Sequence, residues 1–223
     1  MGDTPALQVL PAANVELLRT VKHFIVENVR SARRFIKACD RDIDIDNLTF
    51  VELNRHTRPE DIEPMLNPMM LGESLGVISE AGCPAIADPG ADVVAIAQRR
   101  GYEVVPLVGP SSIIMSLMAS GFNGQNFAFC GYLPIDSSAR LAKAKEMDRL
   151  IRRQRQTQIF IETPYRNNKM VQWLCANMAP DIMLCVASDI TGPAQSIKTL
   201  PLSMWKTRKY DYDKTPSIFL LYS

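Results

Sequence analysis

Three segments of this 223-residue chain concentrate glycine, proline and small polar residues: SEAGCPAIADPG at 79–90, VGPSS at 108–112 and ETPYR at 162–166. Glycine lets a backbone approach a ligand closely and proline fixes a loop's shape, so such segments can cradle a small molecule as well as join elements. None contains G-x-G-x-x-G or G-x-x-x-x-G-K-[ST], which excludes a dinucleotide fingerprint and a P-loop. Histidine is limited to His23 and His56 and the five cysteines include no C-x-x-C pair, so zinc chemistry is unsupported. Neither histidine accompanies a G-x-S-x-G nucleophile. His56, in Asn54-Arg55-His56-Thr57, can still move a proton or hold a hydroxyl, or simply sit on a surface loop. Arg30, Arg33, Arg34 and Lys37 have helical neighbour spacing, which suits either a solvated face or a track for phosphates.

These groups need elements to hold them. Val15, Leu18 and Val21 recur at helical spacing over 15–22. Phe24-Ile25-Val26 reads as a buried strand that ends on polar Glu27 and Asn28, and Ser31 stands where it can cap the basic helix that follows. Phe50–Leu53 reads as a second strand and Pro59 opens a helix through Met65. Gly76–Ser79 is a strand, Glu80–Gly90 a loop, Ala91–Arg100 a helix stopped by Gly101, and Val104–Leu107 the next strand. That order is a β-loop-α-β unit with parallel strands. Asp88 is either a cap for the helix near Pro89-Gly90 or a ligand-side group. The remainder repeats the alternation: helices over 112–120, 140–155 and 167–177, and strands over 159–162, 183–187 and 218–222, the last buried on both faces. The fold class is α/β, in two lobes meeting near Gly109-Pro110: residues 1–109 and 110–223. Ligands of open α/β sheets sit beyond the carboxyl ends of strands, where all three loops fall.

Composition sets the outer limits. Lys+Arg is 25 and Asp+Glu 24, a formal net charge of +1, which excludes an arginine-rich binder but permits a local basic patch. No apolar run reaches the roughly 18 residues of a membrane span, and the first residues lack the basic-then-apolar order of a signal peptide. Five scattered cysteines fit reduced thiols, so a cytoplasmic location is expected.

The ordered set of motifs is similar to the tetrapyrrole (corrin/porphyrin) methylase superfamily, nearest to its ribosomal small-subunit RNA 2′-O-ribose methyltransferase I branch. EAGCPAIADPG at 80–90 resembles A-G-x-P-x-x-x-D-P-G, and VPLVGPSS at 105–112 resembles V-P-L-P-G-P-[CS]-A. ASGF at 119–122 with GYLP at 131–134 resembles A-G-L…G-F-L-P. ETPYR at 162–166 resembles E-[ST]-[PT]-H-R, ENVR at 27–30 resembles E-D-T-R, and His56 falls on the second histidine of H-x-H-N-E.

The resemblance implies a two-lobed class III methyltransferase fold with S-adenosyl-L-methionine in the cleft between lobes, usually in a homodimer. It assigns Ser79, Glu80, Ala81, Gly82, Asp88, Gly109, Pro110, Ser111, Ser112, Thr163, Pro164, Pro216 and Ser217 to the cofactor. Glu27, Arg30 and His56 would be catalytic, and Arg30, Arg33, Arg34, Tyr165 and Arg166 would face the methyl acceptor. The implied reaction is 2′-O-ribose methylation of RNA, in rRNA processing. A tetrapyrrole or other small-molecule acceptor, or a non-catalytic cofactor-binding role, are the alternatives. Two departures stand out. The family opens with a strand and P-x-P-I-G-N-L, whereas this numbering begins at Met1-Gly2-Asp3, inside that loop, so the first strand is expected to be missing from it. The family's A-R-E-[LIM]-T-K reads ASDITG at 187–192, without either basic residue. The cofactor loops are thus kept better than the acceptor-facing ones.

Overall fold

The structure, a computed structural model, describes residues 4–223; the chain start at Met1-Gly2-Asp3 lies outside them. Two compact units divide the chain, Pro5–Pro110 and Ser111–Ser223, the second joined by Thr4. The Thr4 hydroxyl donates to the Thr191 carbonyl at 2.7 Å.

The Pro5–Pro110 unit is built on three parallel strands, β1 (His23–Val26), β2 (Thr49–Glu52) and β3 (Leu75–Ile78), in the order β2-β1-β3. The uninterrupted apolar run of β1 marks a strand covered on both faces. Ile25 packs on one face with Leu66, Val93 and Ile96, and Phe24 and Val26 on the other with Ala32 and Ile36. The helix Val29–Cys39 buries Ala32, Ile36 and Cys39, one stripe at i, i+4, i+7 spacing. The helix Gly90–Arg99 buries Val93, Ile96 and Ala97 in the same manner. Phe24 stacks on Phe50, ring centroids 5.7 Å apart. On its other side the Phe24 ring lies over Gly76, where an added Cβ would come within 2.8 Å of it.

Three sequence expectations change here. Val104–Leu107 is extended chain but joins no sheet among the described residues, and Val105, Leu107 and Val108 are 64%, 52% and 76% exposed. An apolar run becomes a strand only where an edge accepts it, and neither edge of this sheet pairs with it. The basic helix is capped by Asn28, whose side chain accepts the Ser31 N–H; Ser31 is the capped residue rather than the cap. The early helix covers Ala12–Leu18, and Val21 lies beyond it, packed beside Phe24.

In the second unit β4 (Phe127–Tyr132), β5 (Thr157–Ile161), β6 (Met183–Ser188), β7 (Ser196–Pro201) and β8 (Ser217–Tyr222) form a mixed sheet in the order β4-β5-β8-β6-β7, with only β4 and β5 parallel. β8 is buried on both faces, as its run of apolar residues predicts. Phe160 and Phe219 stack at 5.3 Å across β5 and β8, and the buried Trp205 donates its indole N–H to the Leu184 carbonyl at 2.9 Å. The helix Ser137–Gln154 starts three residues earlier than its charge pattern predicts because Asp136 caps it. β4 and β7 escape sequence reading. Gly131 and a register shift interrupt β4, and β7 is an edge strand with alternating exposure. No helix among the described residues is long and apolar enough to cross a membrane.

The contact of Phe24 with Gly76 is testable. Gly76→Ala forces a methyl into a packed ring and is expected to destabilise the protein by about 1–3 kcal/mol, read as a lower urea midpoint with an unchanged slope.

Candidate functional site

Parallel pairing sets the carboxyl ends of β2, β1 and β3 side by side, with Val26 in register with both Glu52 and Ile78. Glu27 follows β1, Asn54 and His56 follow β2, and Ser79 and Glu80 follow β3. One sheet edge therefore gathers five of the polar groups that the sequence singles out or places beside them.

The 79–90 segment is the most strained part of this edge. Gly82, Ala85 and Ala87 have φ of 77°, 66° and 55°. Alanine in the left-handed region costs roughly 1–2 kcal/mol each, so the conformation is imposed by its surroundings. Asp88 imposes part of it. Its Oδ1 accepts the N–H of Ala85 at 3.0 Å and of Gly90 at 2.7 Å. The approach needs glycine, since a Cβ on residue 90 would come within 2.6 Å of that oxygen. Asp88 thus ties the helix start, as a cap would, and closes its own loop. Glu27 supplies the other tie, its Oε1 accepting the Glu80 N–H at 2.8 Å. Burial pushes the Glu27 carboxyl above the ordinary glutamate range, and the neighbouring Asp88 and Glu80 add to that, against the Glu80 N–H. The Glu80 side chain, Ala81 and Gly82 are exposed.

His56 is exposed, its backbone N–H held by Asn54 Oδ1 at 2.9 Å, and its Nε2 accepts from Arg55 Nε at 3.1 Å. A tight turn fixes it there, with the Asn54 N–H donating to Thr57 Oγ1 and the Thr57 N–H to the Asn54 carbonyl. The basic helix divides. Arg33 pairs with Asp46 at 2.6 Å, and Lys37 donates to the carbonyls of Arg41 and Ile43 at 2.8 and 2.7 Å, so both hold the loop after the helix. Among the described residues Arg34 reaches only Ser31 Oγ, at 3.5 Å. Arg30, in the first turn, makes no ion pair or side-chain hydrogen bond among the described residues. Gly109 is exposed, and the Pro110 carbonyl accepts from the Cys83 thiol at 3.6 Å.

The other unit carries the remaining candidates. Ser111 caps the helix Ser112–Ser120 by accepting the Ile114 N–H at 3.4 Å. Beyond β5, the buried Glu162 accepts the Thr163 N–H at 2.8 Å and pairs with Arg166 at 3.1 Å, which orients the turn Pro164–Arg166; Tyr165 is 73% exposed. Pro216 is exposed and Ser217 is buried at the start of β8. Sequence reading missed Asn167, which is fully buried. Its Nδ2 donates to the carbonyls of Tyr212 and Thr215, both at 2.8 Å, and lies 3.2 Å from Ser217 Oγ. Its neighbour Asn168 adds bonds to Tyr212 and Asp213. Two adjacent asparagines opening a helix were the available signal.

No family model matches the chain. A protein of Vibrio cholerae named ribosomal RNA small subunit methyltransferase I is 30% identical over 189 residues, 85% of this chain and 62% of that protein. One of the same name from Xylella fastidiosa is 32% identical over 196 residues, 86% of this chain and 67% of that protein. This chain therefore spans about two thirds of the length of these relatives. Among solved structures, the methyltransferase CobJ superposes with a TM-score of 0.64 at 14% identity, covering 97% of this chain and 89% of that one. At that identity the likeness is one of fold.

Removing the Asn167 amide tests the geometry of the second unit. Asn167→Ala removes the side-chain donor of the Tyr212 and Thr215 carbonyls and leaves Tyr212 only the longer bond from the Thr215 N–H at 3.3 Å, a loss of about 1–3 kcal/mol. The expected result is a lower melting temperature with faster amide exchange concentrated in residues 212–217.

Proposed function

The chain belongs to the ribosomal RNA small subunit methyltransferase I family and has the class III methyltransferase fold, and on that premise we propose that it binds S-adenosylmethionine and methylates RNA at a ribose 2′-hydroxyl. The observation that carries this reading is the shared edge of β2, β1 and β3, whose strands lead into a strained loop, a turn holding an exposed histidine, and a helix whose first-turn Arg30 has no ion pair among the described residues.

The residues suit the cofactor. Gly82 has open space on its Cβ side, so a ligand can reach its backbone, and the exposed Glu80 carboxylate can accept from hydroxyl or ammonium groups. Ser79, Glu80, Ala81 and Gly82 are the residues of this unit proposed to hold it, with Asp88 shaping the loop and Gly109 and Pro110 in the same role further along. In the other unit Ser111, Ser112, Thr163, Pro164, Pro216 and Ser217 carry the same proposal. The cofactor supplies an electrophilic methyl group on a sulfonium centre, so the protein's work is alignment and removal of the acceptor's proton. His56 is proposed as the group that receives that proton. Its Nε2 is engaged by Arg55, so Arg55 must turn aside, or Nδ1 must serve. Arg30, without an ion pair or side-chain hydrogen bond among the described residues, is proposed to hold an acceptor phosphate, with Arg34, Tyr165 and Arg166 as further contacts. Arg33 is committed to Asp46 and contributes through that loop. A homodimer in the cytoplasm is proposed as the working form, and five free thiols agree with a reducing compartment.

Calorimetry with S-adenosylhomocysteine is expected to show one site per chain, and absence of binding overturns the cofactor assignment. With tritiated S-adenosylmethionine, label should enter small-subunit rRNA rather than a small-molecule fraction. His56→Ala should lower turnover by roughly a hundredfold or more without changing S-adenosylhomocysteine affinity. Arg30→Ala should weaken RNA binding and flatten its dependence on salt.

A further inference from the structure

Glu27 and Asp88 are both acceptors of backbone N–H groups, and they also lie within hydrogen-bonding reach of one another. Two ionised carboxylates cannot bond; one must carry a proton to donate. Asp88 Oδ1 is occupied by the N–H groups of Ala85 and Gly90, while its Oδ2 is buried with no hydrogen-bond partner among the described residues. A buried acceptor left empty is costly, and a protonated Glu27 is the donor at hand. The charged groups acting on Glu27 are Asp88, from the loop before the Gly90–Arg99 helix, and Glu80, from the end of β3; both are acidic. On the neighbouring strand β2 the nearest register position is Glu52, a third carboxylate, held by Asn54 at 2.9 Å.

We infer that Glu27 and Asp88 share a single proton, donated by Glu27 to Asp88 Oδ2, and that this pair locks the 79–90 loop in its strained shape. Glu27 is thus a positioning residue: one carboxyl oxygen fixes Glu80 through its N–H, the other grips the aspartate that shapes Ala85 through Gly90. The proton comes from solvent and returns to it. Because the Glu27 carboxyl is held above its ordinary range, the lock is complete below the ordinary glutamate pKa. It is lost as pH rises through the raised value, when Glu27 gives up the shared proton and the two carboxylates repel. This assignment rests on the cofactor reading only for its consequence, that the locked loop is the one that binds S-adenosylmethionine.

Glutamine imitates the protonated acid, its Oε1 accepting from Glu80 and its Nε2 donating to Asp88. The test is a pH titration followed by NMR, reading the Glu27 carboxyl carbon and the amides of Glu80 and Gly90, beside calorimetry with S-adenosylhomocysteine. The three signals are expected to share one midpoint above the ordinary glutamate range. Glu27→Gln should abolish the amide titration and make binding independent of pH. Glu27→Ala should weaken binding roughly tenfold or more at every pH. Asp88→Asn, which can donate to an ionised Glu27, should move the Glu27 midpoint downward. A Glu27 midpoint in the ordinary range overturns the inference, as does a Gly90 amide indifferent to it or a wild-type pH profile in Glu27→Gln. If S-adenosylhomocysteine fails to bind at any pH while the shared titration persists, the proton pair stands and the cofactor reading falls.

Discussion

The first unit depends on parallel pairing on both sides of β1. Parallel neighbours cannot be joined by a tight turn, so every return crosses the sheet and every carboxyl end comes out at one edge. That constraint explains why residues as distant in sequence as Glu27, His56 and Glu80 follow strands at one sheet edge, and why Glu27 can reach the Glu80 N–H. Burial makes the constraint secure. Ile25 is packed on one face and Phe24 and Val26 on the other, so a slip of one residue would reverse all three.

The second unit solves a similar problem with polar groups. Its β8 is central, apolar and insensitive to which face is which, so the segment that leads into it needs another device. Asn167 supplies it from inside the core, gripping residues 212–217 through one amide nitrogen. Glu162 does the same for the turn after β5, since the carboxylate that receives the Thr163 N–H also receives Arg166. A buried polar side chain is expensive unless partnered, and each of these is partnered by the loop it shapes.

What could be read from the sequence follows the same physics. β1, β8 and the helices with a clear apolar stripe were legible, because burial on two faces or along one line leaves a periodic trace. The three glycine- and proline-rich segments were legible as loops, and the family resemblance rested on them. Val104–Leu107 misled because an apolar run reports only a tendency to form a strand, while pairing depends on a neighbour that the local sequence does not name. β4 and β7 were hidden by a glycine with positive φ and by edge exposure. The sharing of loads among Arg33, Lys37 and Arg30 was invisible too. Spacing shows that basic residues share a helix face, and only the fold shows that the first two spend their charge on Asp46 and two carbonyls.

Ala85 and Ala87 stand in backbone conformations where glycine would be at ease. Glycine there would relieve the left-handed penalty, roughly 1–2 kcal/mol, yet would return about 0.4–1 kcal/mol of freedom to the unfolded chain. The second effect offsets only part of the first, so each alanine carries a net cost of up to about 1 kcal/mol. Their further effect falls on the number of shapes open to the folded loop. With methyl groups at both positions the alternatives are sparse, and the ligand proposed for this loop would find most of the ordering already done.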